Sequence, residues 1–444
     1  MTGIKEYLLL GAIPLIITLL ILALKNARKA FYVMFGLQFI VVLAGMFADI
    51  KMSVAALGSM ILAIVLILIL STYENVDWKR SRNGMLLLYS IWAGYCILEI
   101  ANPNAVFEAW GIAGINYFVY PLICAILAPI ALKNAKSVQW LLIIWSVFIL
   151  IAAFKGYWQK NQGFNSREME FLYVYGGAKT HLIWSGIRFF SCFTDAANFG
   201  VHMALAMTTF GISLFYVRRF WMKAYFAIVV IAATYGMFIS GTRAAIAIPI
   251  VGLFLFSILS GSKKIVGFGL TSLACAILFF SVTTIGDSNQ YIRKMRSAFR
   301  PTTDASYQVR VANREHIREL MADKPFGYGI GLSKGERFNP KERMPYPPDS
   351  WLVAIWVETG IVGLIIYLLV NGALFAWCSW ILMFKIMSKR LRGLLAAWLC
   401  ASAGFFVAAY ANDVMQYPST IIIYTSFILC LSGPYMDKQE KEQI

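Results

Sequence analysis

Twelve Lys and Arg residues stand against eight acids in the segment 286–350, which closes on Tyr346-Pro-Pro-Asp349-Ser350 directly before an apolar run. A basic, partly folded segment beside apolar chain suits an anionic ligand. Guanidinium forks grip phosphate bidentately and stay charged where the dielectric is low, so Arg188, Arg243 and Arg310 are the candidate anion ligands, with Arg314 in support. Arg243 stands alone in Ser240-Gly-Thr-Arg243-Ala-Ala between two apolar runs. A charge there costs a few kcal/mol unless it meets a partner or a ligand. An arginine that only pins carbonyls at a helix junction would read the same way. Asp349, restrained by Pro347 and Pro348, could take a proton from an acceptor hydroxyl as a general base. The competing reading is a helix N-cap by Asp349 or Ser350, and the two coexist if Ser350 caps.

Other polar positions carry less chemistry. Arg310, Arg314 and Arg318 recur at i, i+4, with Val311, Ile317, Leu320 and Met321 suggesting an apolar side, so the pattern predicts an amphipathic helix lying on the membrane. Gly327, Gly329 and Gly331 look like a phosphate cradle, but no strand precedes them and no helix follows, so they read as a turn after Pro325. His181, His202 and His316 are scattered. His202 falls inside an apolar run, where it is either functional or a neutral side chain bonded to a neighbouring helix. No His, Cys or carboxylate group has metal-ligand spacing, and neither a metal nor a cofactor is expected. The cysteines at 96, 124, 192, 275, 378, 400 and 430 form no C-x-x-C pair and read as small buried hydrophobes.

The elements that must position these residues are membrane helices. Of 444 residues, 60% are hydrophobic and 14% charged. Runs of about 18 or more apolar residues read as spans. Thirteen candidates lie near 7–24, 30–48, 53–70, 84–100, 111–132, 138–154, 190–217, 223–240, 244–261, 265–285, 351–384, 393–411 and 419–433. The class expected is an all-α polytopic membrane protein of 12–13 spans, forming one integral domain over 1–444 with no internal repeat. The net charge of +17 sits largely in short loops at 25–29, 79–82, 133–136, 218–223, 263–264 and 385–392. Lys and Arg there set orientation and touch lipid, so membrane lipid is an expected partner and nucleic acid is not. The positive-inside rule makes those loops cytoplasmic, together with the tail 436–444. The loop 155–188, the turn at Arg243 and the long loop 286–350 then face outward together. Thirteen spans would put the N-terminus outside, and a re-entrant segment would make them twelve.

The constellation resembles the bacterial O-antigen ligase/polymerase family over about the C-terminal two thirds of the chain. Arg188-Phe-Phe-Ser-Cys-Phe-Thr-Asp195 with Asn198 resembles the family's Arg, Phe, Asp-Pro-Asn element, and Ser240-Gly-Thr-Arg243 its Ser-Arg-Gly turn. Arg310, then Pro325-x-Gly-x-Gly fifteen residues later, then Glu358-Thr-Gly360-Ile-Val-Gly363, completes the pattern. The resemblance implies a GT-C-like enzyme of the bacterial inner membrane. It would transfer glycan from undecaprenyl diphosphate, on the periplasmic face, to an acceptor glycan or lipid A core. It further implies that Arg188 and Arg310 hold the diphosphate and that Arg243 shapes the site. Ligases usually carry a His-Asn pair nine residues before the Glu of Glu-x-Gly, where this chain has Asp349-Ser350, and Asp-Ala-Ala-Asn198 lacks the proline. These departures favour a polymerase joining repeat units over a ligase.

Two other classes are compatible with many spans. A transporter or flippase of lipid-linked or anionic solutes would show inverted repeats and charges at mid-membrane, whereas here the charges gather in an outer loop. A scaffold in an envelope-assembly complex would tolerate point changes at every candidate residue.

Overall fold

The computed structural model describes residues 27–45, 76–183, 186–261, 263–299, 305–334 and 338–442. The chain is built from helices: α1 (Ala27–Gly45), α2 (Gly84–Leu98), α3 (Phe107–Gly114) running through a π turn into α4 (Tyr120–Ala131), α5 (Ala135–Gln162), α6 (Ser166–Tyr173) and α7 (Ala178–His181). A two-residue hairpin, β1 (Leu182–Ile183) with β2 (Gly186–Ile187), follows. Next come α8 (Ala196–Ser213), α9 (Phe220–Ile239), a 3-10 turn Arg243–Ile246 leading into α10 (Ala247–Leu259), α11 (Lys263–Ser281), α12 (Gln290–Ser297) and α13 (Ala305–Leu320). The chain ends with α14 (Trp351–Phe384), α15 (Lys389–Ala411), α16 (Ser419–Leu431) and α17 (Gly433–Glu442).

Each of the eleven expected spans that reach the described residues is met by a helix, and those at 7–24 and 53–70 lie outside them. The protein is an all-α polytopic membrane protein. Among the described residues, six helices are long and apolar enough to cross a membrane, and the pair α16 and α17, bent by 54°, would add a seventh. The expected runs at 7–24 and 53–70 fall outside that count, and among the described residues turns shorten several of the others. The run at 190–217 does not become helix until Ala196, since the side chain of Asp195 accepts the Ala197 and Asn198 N–H groups and fixes the start. The run from 244 begins as a 3-10 turn, leaving Arg243–Leu259 short.

α15 is the centre of the bundle, packed on α8, α10, α14 and α16. Close approach depends on small residues: a Cβ at Gly404 would lie 2.4 Å from the Ile248 carbonyl oxygen of α10. Backbones of membrane helices meet this way because lipid supplies no hydrophobic force between them. Trp398 is fully buried and sits 5.3 Å from Trp145.

The two ends of the bundle differ chemically. At one end α17 gathers the basic loops. Arg80 stacks on Tyr435 at 3.7 Å, Glu440 accepts from Ala135 N at 3.0 Å, and Asp437 accepts from Met387 N and Ser388 N. At the other end lie the segments 163–188 and 286–350. The former is more helical than a loop reading suggests, since α5 continues to Gln162 and α6 opens on a capping box between Asn165 and Glu168. α13 is amphipathic as expected, but its apolar side packs on protein: Ile317 and Met321 are buried with Tyr328, Met344 and Val357. Val311, expected on that side, is 45% exposed. Six cysteines are buried free thiols; Cys275 is exposed instead, on the outside of the α11 helix.

Candidate active site

The turn joining α9 to the 3-10 helix collects the cations. Gly241 holds φ +60°, which lets the chain reverse there. Ser240 Oγ accepts from Thr242 N at 3.2 Å, and Thr242 Oγ1 donates to Ala196 O at 2.8 Å, tying the turn to the start of α8. Arg188 follows β2, and its backbone N–H is fixed on the His181 carbonyl at 2.9 Å. Its guanidinium wraps the turn: Nε donates to Ser240 O at 3.3 Å, Nη2 to Thr242 Oγ1 at 3.1 Å and Nη1 to Thr180 O at 3.3 Å. Three of its five N–H groups are used, leaving two for a ligand. Arg243 reaches α12, donating to Ser297 Oγ at 3.4 Å.

Arg310 projects from α13 to the start of the connection between α15 and α16, donating to Ala411 O at 3.1 Å and to Asn412 Oδ1 at 3.2 Å. Burial lowers the Arg188 pKa; Asp195 opposes this, and Arg243 and Arg310 depress it further. Burial likewise lowers Arg310, with Asp349 opposing. The three arginines, distant in sequence, therefore share one electrostatic field. Among the described residues neither Arg188 nor Arg310 forms an ion pair; both are solvated by carbonyls and neutral side chains.

Of the two residues that could cap α14, Ser350 does so. Ser350 is buried and caps α14, its Oγ accepting from Val353 N at 3.5 Å and donating to Ala409 O at 3.3 Å. Asp349 is exposed and lines a small cleft with Arg310, Asn313, Arg314 and Pro348. Arg314 is engaged elsewhere: its guanidinium donates to the hydroxyl and carbonyl of Tyr410 at 3.0 and 2.9 Å and lies 4.5 Å from that ring.

Two cations escaped sequence reasoning. Lys294, inside the basic run Arg293-Lys-Met-Arg296, is buried beside Arg188 and Arg243. The signal available was its place one turn after Tyr291 and next to Met295 on the buried face of an amphipathic helix. Lys334 pairs with Asp413 at 2.5 Å. Burial lowers its pKa, but Asp413, Asp195 and Asp349 more than reverse this, so it is raised. Carboxylates thus border the cation cluster on the Lys334 side.

The remaining motifs build the frame. Asn198 Nδ2 donates to Asp195 Oδ2 at 2.6 Å and steadies the Asp195 cap, while His181 Nε2 accepts from Ala196 N at 3.1 Å at the start of α8. His202 accepts from Trp145 Nε1 at 3.0 Å and pairs with Ser419 Oγ at 3.0 Å, the neutral, bonded state open to it. The glycine run docks on α14 at a break where Gly360 has φ +65°: Tyr328 N donates to Val357 O at 2.8 Å and Gly329 N to Glu358 O at 3.0 Å. Glu358 is buried and accepts from Tyr117 OH at 2.5 Å, Ser333 Oγ at 2.5 Å, Gly331 N at 2.8 Å and Ser333 N at 3.4 Å. Among the described residues no group of three or more His, Cys, Asp or Glu is placed to hold a metal ion.

A family model described as O-antigen ligase matches residues 227–368. The match spans Arg243, Lys294, Arg310, Asp349 and Glu358 and ends short of Arg188. No curated protein matches the chain. This part of the chain is thus similar to the O-antigen ligase/polymerase family, and the match supports a glycosyltransferase-like function of that type in general. It is a multi-pass membrane protein.

Proposed function

We propose that the protein is an inner-membrane glycosyltransferase that moves glycan from undecaprenyl diphosphate to an acceptor sugar hydroxyl at the periplasmic face, and that it acts as a polymerase. The observation that carries this reading is the gathering of Arg188, Arg243 and Arg310 at one end of the bundle, with Arg188 and Arg310 bonded to neutral acceptors. A diphosphate supplies the missing negative charge. The exposed Asp349 carboxylate beside Arg310 takes the acceptor proton as the hydroxyl oxygen attacks C1 of the donor sugar. The C1–O bond to the diphosphate breaks with its electron pair, and fixed guanidinium donors stabilise the charge that develops there. The attack from one face inverts the anomeric carbon. Glu358, four times bonded and buried, serves the frame and not the chemistry.

The test is reconstitution of the purified protein with an undecaprenyl-diphosphate-linked oligosaccharide, resolving products by size beside Asp349→Ala. A ladder of carrier-linked glycan lost in the variant supports a polymerase using Asp349. A single transfer seen only when lipid A core is added would make it a ligase, and transport of the lipid without bond formation would sink the enzyme reading.

A further inference from the structure

Lys294 lies on α12 and is only 8% exposed. Its ammonium donates to Gly186 O at 3.2 Å and, among the described residues, has no acid within ion-pair distance. Arg296, two residues on and 6% exposed, differs: it pairs with Asp287 and donates to Ile285 O at 3.0 Å. Burial on this helix is matched by a counter-charge at one cation and not at the other. The long helices against which α12 packs, α9 and α11, contain no Asp or Glu.

Position adds direction. A Cβ at Gly241 would lie 3.3 Å from both Cδ and Nζ of Lys294 and 3.4 Å from Arg188 Cγ, so the lysine and the arginine flank the same glycine. Ser297, one turn along, donates to Lys294 O at 2.8 Å and accepts from Arg243 Nη1, which sets the register of α12 on the turn. An ammonium has three donors, and the Gly186 carbonyl uses one. Holding a buried ammonium beside two guanidinium groups is costly unless an anion completes the group.

We infer that Lys294 donates directly to the phosphate oxygens of the ligand held by Arg188 and Arg243, so that the long polar segment supplies part of the diphosphate grip. This rests on the transferase reading above. The charged groups acting on Lys294 are Arg188 and Arg243, which stay protonated; on its own helix Arg293 is exposed and Arg296 is paired. Burial, reinforced by those two guanidinium groups, holds the Lys294 ammonium down to about 8. The charged form binds the anion, so affinity is full below that pH and falls as pH rises through it.

The experiment uses the full chain in lipid nanodiscs. Binding of inorganic diphosphate is measured by calorimetry from about pH 6.5 to 9.5, a range that brackets the shifted lysine. Wild type is compared with Lys294→Gln and Lys294→Arg, with circular dichroism to check folding. Lys294→Gln should weaken diphosphate about tenfold or more at neutral pH and remove the decline near pH 8. Lys294→Arg should stay within about threefold of wild type and move the decline upward, because a guanidinium does not titrate there. A folded Lys294→Gln that binds with wild-type affinity and pH dependence overturns the inference, as does a folded Lys294→Arg that fails to restore binding. If both variants fail to fold, the lysine is structural and the inference falls. Glycan transfer by wild type with Lys294-independent diphosphate binding would remove only this inference. Lys294-dependent binding without any glycan transfer would instead remove the transferase reading.

Discussion

Two charged regions at the same end of the bundle are solved in opposite ways. The Glu358 carboxylate is saturated: two hydroxyls and two backbone N–H groups converge on it. Arg188, Lys294 and Arg310 are each buried or half-buried too, yet their partners are carbonyls and neutral side chains. A buried charge whose capacity is filled holds a fold together; one left with neutral partners and spare donors is set to receive a charged ligand. On the proposed reading the contrast separates frame from chemistry in a stretch where the family pattern runs them together, since Arg310, Pro325-x-Gly-x-Gly and Glu358-x-Gly360 belong to one resemblance.

The hardest test of that contrast is at the open side. Arg310→Ala and Asp349→Ala should each lower transfer by about 10²–10⁴-fold while thermal unfolding stays near wild type, as expected for loss of a phosphate clamp or a general base. A large drop in unfolding temperature for either would place it with the frame. On the saturated side the order reverses. Glu358→Gln leaves donors facing an amide, and should cost on the order of 3 kcal/mol of stability, read as a lowered unfolding midpoint with residual transfer in the folded fraction. Gly360→Ala should act in the same direction. Its Cβ would fall 1.9 Å from the Pro325 carbonyl oxygen at a backbone conformation with φ +65°, so limited proteolysis should open the 325–331 turn. Smallest of all is Arg314→Ala: the side chain is committed to Tyr410 at a solvent-facing position, so transfer should stay within about fivefold of wild type, the scale of an exposed charged contact.

Much of the helical framework was legible because a bilayer demands long apolar runs, and such runs are hard to hide in a sequence. The breaks were not. Nothing in the apolar run 351–384 announces that Gly360 leaves the helical conformation, because the cause is the distant Pro325 turn that docks there. The run at 190–217 reads as a span by its apolar length, yet the Asp195 cap postpones the helix. At the site, Arg243 was legible as a lone cation between apolar runs, and Arg188 and Arg310 as guanidinium groups in the outward segments able to grip phosphate. Lys294 was masked by two cationic neighbours within two residues, Arg293 and Arg296, although Tyr291, Lys294 and Met295 share the buried face of α12. The partner of Arg314 was not legible: its i, i+4 spacing from Arg310 places it on that face, while the Tyr410 ring it meets comes from another helix.

The break at Gly360 also sets a depth. It divides the 34 residues of α14 into nine before the glycine and 24 after it. At about 1.5 Å per residue, the later portion is roughly 36 Å long, enough by itself for the ~30 Å hydrocarbon layer. The earlier portion, roughly 13 Å by the same rise, is then free to stand in the headgroup zone. On the proposed transferase reading, Asp349 at its far tip would stand level with where a membrane-tethered sugar emerges from its lipid, the helix acting as a post whose anchored foot sets the height of its head.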